Sequence, residues 1–150
     1  MTQANFIVLL VENDENDIVL ITRAFEKASL PNTLRTVRSC EQAIGYFSGE
    51  GHFADRARHP LPVLVLLDLK LAGRSGFDVL HWMRNHPEFK RVPAVVLSSS
   101  RESGDVNRAY ELGATSYMVK PVAFDELQAM VQAIGTYWLL FNRYPDAPEV

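Results

Sequence analysis

Acids, an amide, hydroxyls and an ammonium group stand directly after apolar runs in this 150-residue chain. In "LLVENDEND", residues 9 to 17, Leu9, Leu10 and Val11 give way to Glu12, Asn13, Asp14, Glu15, Asn16 and Asp17 with no apolar residue between them. Carboxylates packed this closely repel one another, so solvent, a helix N-terminus or a metal ion must compensate them. The run "VLVLL" ends in Asp68, "AVVL" in Ser98, Ser99 and Ser100, and "SYMV" in Lys120 followed by Pro121. Carboxylates from two strands suit Mg²⁺, which takes oxygen ligands and keeps several waters. A carboxylate beside that metal can act as a nucleophile toward a phosphoryl group. The hydroxyl and the lysine can then hydrogen-bond to and pair with the phosphoryl oxygens. On this reading the acids surround a cation. Each piece alone has a plainer explanation, Asp68 capping a turn and the serines and Lys-Pro as loop residues. Their joint placement is the signal.

These groups meet only if the apolar runs lie side by side. "FIVLLV" (6 to 11), "LRTV" (34 to 37), "VLVLL" (63 to 67), "AVVL" (94 to 97) and "SYMV" (116 to 119) are the candidate strands. Three of them are nearly continuous Val, Ile and Leu, as expected of strands covered on both faces. Between them lie stripes at helical spacing: Ile18, Ile21, Phe25 and Ala28, then Phe77, Leu80 and Met83. Asp105, Ala109 and Leu112 open a further helix that stops at Gly113, and the last begins near Phe124. Five strands alternating with five helices predict a doubly wound α/β sheet, whose crevice lies outside the carboxyl ends of the strands. Residues 48 to 62, "SGEGHFADRARHPLP", read as a long surface loop.

The bulk numbers bound the class. A composition 47% hydrophobic and 22% charged fits one globular domain with an ordinary core. A formal net charge of -3 gives no general attraction to nucleic acid or anionic lipid, so neither is expected as a partner. Cys40 is the one cysteine, which excludes an intramolecular disulfide and suggests a cytoplasmic setting. The apolar run at the N-terminus is too short for a signal peptide or a membrane span.

"LLVEN", "VLLDLKLAGRSGFDVL", "VVLSSS" and "YELGATSYMVKP" together resemble the successive motifs of the response-regulator receiver domain, over about residues 6 to 135. The resemblance implies a flavodoxin-like doubly wound five-stranded parallel sheet of order 2-1-3-4-5 with five helices. It also implies transfer of a phosphoryl group from a histidine kinase to an aspartate, with Mg²⁺ as cofactor. The loop "FADRARHPLP" and the ending "TYW" look most like small single-domain regulators that partner phytochrome-type kinases. Carried over by position, Asp68 matches the phospho-acceptor, Ser98 the switch hydroxyl and Lys120 the family's lysine. Glu12 matches the first acidic residue, and Lys70 the position whose backbone carbonyl binds the metal. Tyr117 matches the aromatic that swings inward on phosphorylation. Gly76 and the Gly113-Ala114 pair match structural positions.

Two positions depart from the family. Ala72 replaces a usual proline. Asn13 stands where a second acid normally ligates the metal, and its carbonyl can coordinate Mg²⁺ but brings no charge. Losing that charge at an effective dielectric of about 20 weakens the site by roughly 1 to 3 kcal/mol. Asp14, next in line, points to the opposite face if the strand continues.

The chain is thus read as a receiver, residues 1 to 143, with an extended C-terminal helix and a flexible tail, 144 to 150. It is expected to be a switch rather than an enzyme, signalling through protein contacts. The alternative is a pseudo-receiver, impaired at Asn13, working as a constitutive dimeric binding module. An aspartyl-nucleophile phosphatase is a further rival, but Lys70 stands where a second acid would be needed near Asp68. His52, His59, His81 and His86 show no metal-ligand spacing and read as surface or packing residues. Arg56, Arg58 and His59 form a basic cluster in a solvated loop. In the last helix, Leu127, Met130, Val131, Ile134, Trp138 and Phe141 share one stripe, with Leu139 and Leu140 off it. That surplus of apolar surface predicts a homodimer through the C-terminal helix and tail.

Overall fold

The computed structural model describes residues 6–30 and 34–145. The strands are β1 (Val8–Val11), β2 (Leu34–Val37), β3 (Leu64–Leu67), β4 (Ala94–Ser98) and β5 (Ser116–Val119). All pair in parallel, in the expected order β2-β1-β3-β4-β5. The helices between and after them are α1 (Glu15–Lys27), α2 (Cys40–Ser48), α3 (Gly76–Arg84), α4 (Ser103–Glu111) and α5 (Phe124–Ile134).

Successive side chains of a strand point to opposite faces, so each apolar run feeds two cores. Leu9, Val11, Val65, Leu67 and Val96 pack with Tyr46 and Phe47 of α2 and Leu80 and Met83 of α3. Val8, Leu10, Leu64, Leu66 and Val95 pack with Ile21 and Phe25 of α1 and Leu127 and Val131 of α5. This is why the central strands show no polar alternation. No described helix is long and apolar enough to cross a membrane.

The loop from 48 to 62 is tied down rather than loosely solvated. It holds one 3-10 turn, Gly51–Ala54. Arg56 donates to the carbonyls of Tyr46 and Phe47 at the end of α2, each at 2.7 Å. Tyr46 in turn donates its hydroxyl to the Pro60 carbonyl at 2.8 Å. Arg56 therefore anchors the loop to the last turn of α2, on the Phe47 carbonyl and on a Tyr46 carbonyl that also accepts from the N–H of Gly49 at 3.3 Å. His59 lies edge-on to Tyr46 and Phe53, and His86 stacks on Trp82, so both histidines serve packing.

The C-terminal segment departs from the helical stripe. Phe141, on the expected core face, is 74% exposed, whereas Leu139, expected off it, is 4% exposed and belongs to the α1–α5 core. The cause is a change of helix type. From Gly135 to Phe141 the chain winds as a π-helix, and Asn142 N–H bonds the Tyr137 carbonyl five residues back. Residues five apart then share a face, so Leu139 falls in line with buried Ile134. Gly135 permits the close approach, since a Cβ there would lie 2.6 Å from Leu30 Cδ1. Leu140 and Tyr137 remain exposed beside Phe141. Tyr144, placed with the flexible tail, packs its ring at a tilt against Phe6 and donates its hydroxyl to the Trp138 carbonyl. Residues 146–150 of that tail lie outside the described residues.

Candidate functional site

Four loops at the carboxyl ends of β1, β3, β4 and β5 build the site. Glu12 continues β1, its N–H bonding the Val37 carbonyl at 3.0 Å. Asp68 continues β3 with its N–H on the Val11 carbonyl at 2.9 Å, and Lys120 continues β5 with its N–H on the Ser98 carbonyl at 2.8 Å. The sheet register thus carries three charged side chains to one place. Gly76, at the start of α3, lets that helix press against the acceptor loop. A Cβ there would lie 2.2 Å from the backbone oxygen of Asp68. Only a residue without a Cβ fits.

Lys120 Nζ is the centre of the cluster. It lies 2.5 Å from Glu12 Oε1, 2.7 Å from Asp17 Oδ2 and 3.0 Å from Asp68 Oδ2. Glu12 is 1% exposed and Asp68 7%. Two buried carboxylates at this separation are tolerable only because an ammonium bridges them. Burial, together with hydrogen bonding to and the charge of Asp68, pushes Glu12 up to about 7 against the pull of Lys120. Burial alone would lower Lys120, but its bonds to Asp17 and Glu12 and the charge of Asp68 hold it above the usual lysine value.

Glu12 Oε2 is also occupied, accepting from the N–H groups of Asn13 at 3.0 Å and Asp14 at 3.3 Å. Asp14 is the N-cap of α1, accepting from Asp17 N–H at 3.0 Å, which puts one of the crowded acids to work at a helix N-terminus. Asn13 is exposed, outside the carboxylate cluster. Lys70 donates its N–H to Asp68 Oδ1 at 3.4 Å, and its side chain is exposed.

The hydroxyl and the aromatic are connected through one residue. Ser98, buried at the end of β4, accepts at Oγ from Ser100 N–H at 3.2 Å. The Ser100 carbonyl accepts from Tyr117 Oη at 2.9 Å, and Ser100 Oγ donates to Asp105 Oδ2 at 2.6 Å. Ser98 and Tyr117 therefore share the β4–α4 loop as a common partner.

Three carboxylates, those of Glu12, Asp17 and Asp68, offer oxygen atoms within 4.8 Å of one another. Hard oxygen donors of this kind fit a small divalent cation such as Mg²⁺. Of the residues singled out by sequence, Glu12, Asp68 and Lys120 come together. Asp17, one of the crowded acids after β1 but not assigned a place in the site by the sequence, joins them. Its signal was faint, an acid in the first turn of α1 whose expected use was to complement the helix N-terminus.

Residues 8–132 match the response regulator receiver domain. The probable methanogenesis regulatory protein FilR2 of Methanothrix harundinacea is 35% identical, over 93% of this chain and 88% of its own length. Response regulator Rcp1 of Synechocystis is 32% identical over 94% of both chains. Its Mn²⁺-bound form superposes with a TM-score of 0.83 at 31% identity, covering 94% of this chain and 99% of that one. The phosphorylated cyanobacterial phytochrome response regulator RcpA is 34% identical, with a TM-score of 0.85 over 95% of this chain and 99% of its own.

Proposed function

The chain belongs to the response regulator receiver family, and from that premise we propose that it is a Mg²⁺-dependent phospho-acceptor switch of two-component signalling. Asp68 is the acceptor. Its carboxylate oxygen bonds to phosphorus as the phosphorus–nitrogen bond of a kinase phosphohistidine breaks, and the imidazole leaves with the electron pair. The observation that carries the reading is the contact of Lys120 Nζ with both Asp68 and Glu12. It supports the reading by setting a positive donor against the carboxylate proposed to receive the phosphoryl group.

Glu12, Asp68 and the Lys70 carbonyl are the residues assigned to the cation, with Asn13 as a neutral neighbour. When bound, Mg²⁺ neutralises charge on the phosphoryl oxygens. Phosphorylation adds about two negative charges at Asp68. Ser98 then exchanges its bond with Ser100 for one to the phosphoryl group, and Tyr117 moves with the loop they share. The chain acts as a switch rather than as a turnover catalyst, in the cytoplasm, and its output runs through protein contacts.

The likeness to RcpA supports a light-sensing kinase of phytochrome type as the phosphodonor. Exposed Tyr137, Leu140 and Phe141 support self-association through the C-terminal segment. Incubation with acetyl phosphate and Mg²⁺, read by intact mass, tests the core reading. Wild type gains one phosphoryl group and Asp68→Asn gains none, because an amide is a far weaker nucleophile. Equal labelling of the two would remove Asp68 from the role. Asn13 favours one second reading, a pseudo-receiver without effective cation binding, and the absence of labelling in wild type would support it.

A further inference from the structure

Asp17 is not among the residues matched to the family's site, yet its Oδ2 is 2.7 Å from Lys120 Nζ, closer than Asp68 Oδ2 at 3.0 Å. Local capping explains why this carboxylate is available. An acid at the third position of a helix often turns back to bond the N-cap N–H. Here the N-cap is Asp14, and its N–H is already taken by Glu12 Oε2. Asp14 in turn holds the Asp17 N–H, so the backbone of Asp17 is fixed while its side chain is released toward β5. Five positions after Glu12, one turn into α1, the acid reaches the same ammonium as Glu12 and Asp68.

Position 13 supplies the second observation. The family's second acid is an uncharged, exposed amide here. Formally, Glu12, Asp17 and Asp68 carry three negative charges and Lys120 one positive, leaving two negative charges to meet a divalent cation. Without Asp17 only one would remain. The balance that Asn13 disturbs is restored from the helix.

We propose that Asp17 is a positioning residue of the phosphorylation site, supplying the acidic charge that Asn13 lacks by holding Lys120 and stabilising the divalent cation beside Glu12 and Asp68. The inference rests on the receiver reading above. A purely structural role, clamping α1 to β5, would not depend on what stands at position 13, and that dependence is the discriminating readout.

Calorimetric titration with Mg²⁺ alone, on the full chain, compares wild type, Asp17→Asn, Asn13→Asp and the double variant. Asp17→Asn is expected to weaken Mg²⁺ binding by about tenfold, the effect of one nearby charge at an effective dielectric of about 20. The double variant is expected to recover to within about threefold of wild type, since a carboxylate returns beside the ion. Asp17→Glu, which keeps the charge, holds its affinity and guards against a folding artefact. Binding by Asp17→Asn equal to wild type, or failure of Asn13→Asp to rescue it, overturns the proposal. If that happens while Asp68 still accepts a phosphoryl group, the receiver reading stands and only Asp17 falls. A wild type that neither binds Mg²⁺ nor labels removes both.

Discussion

Tyr117 and Ser98 are joined through Ser100: Tyr117 Oη donates to its carbonyl at 2.9 Å, and its N–H donates to Ser98 Oγ at 3.2 Å. The end of β4 and the aromatic of β5 thus bias one loop. Tyr117→Phe deletes the first link and leaves the ring. The substitution is expected to cost about 1 kcal/mol in urea unfolding, the net worth of one hydrogen bond. Amide exchange at Ser100 should accelerate with it. Unchanged exchange would mean that the hydroxyl does not hold the loop.

Glu12 predicts a pH dependence in metal-free protein. Its folded value of about 7 lies above the ordinary 4.5, so the fold favours the protonated acid. That contribution is fully present below 4.5 and is lost as pH rises through 7. Stability in EDTA should therefore fall between pH 5 and pH 8, by on the order of 1 to 3 kcal/mol. Glu12→Gln, which cannot ionise, should flatten the profile over that window. A profile of equal slope in the variant would assign the dependence to other groups.

The π-helical turn separates two leucines that are adjacent in sequence. Leu139→Ala opens the α1–α5 core and should destabilise by about 2 to 5 kcal/mol. Leu140→Glu with Phe141→Glu alters exposed positions and should leave stability within about 0.5 kcal/mol. If the exposed patch carries a homodimer, that double variant is monomeric by light scattering where wild type is dimeric. A double variant that stays dimeric locates the interface elsewhere.

Gly76 offers a steric prediction beside the acceptor. Its missing Cβ would overlap the Asp68 backbone oxygen at 2.2 Å. Gly76→Ala must move α3 or the acceptor loop, at a cost of about 1 to 3 kcal/mol by analogy with overpacked cores. Acetyl phosphate labelling should slow together with the loss of stability. Wild-type behaviour in both measurements would show that the loop yields freely.

Three of the five strands were legible as short, nearly unbroken apolar runs ended by polar residues, which is what burial on two faces demands. The outer runs, LRTV and SYMV, are mixed and only partly buried. The ends of the runs already placed Glu12, Asp68, Ser98 and Lys120 at strand ends, and a parallel sheet gathers such ends on one edge. The sheet order 2-1-3-4-5 came from resemblance to a family, since spacing alone does not choose among neighbours. Arg56 looked like a free surface cation because nothing local shows that the carbonyls of Tyr46 and Phe47 wait for it. Leu139 and Phe141 were misplaced because a period of 3.6 residues was assumed where the chain winds wider. Asp17 belonged to the helix by every local criterion. Its partner, Lys120, lies 103 residues away, and only the pairing of β5 with β4 and the packing of α1 across the sheet bring the two charges together.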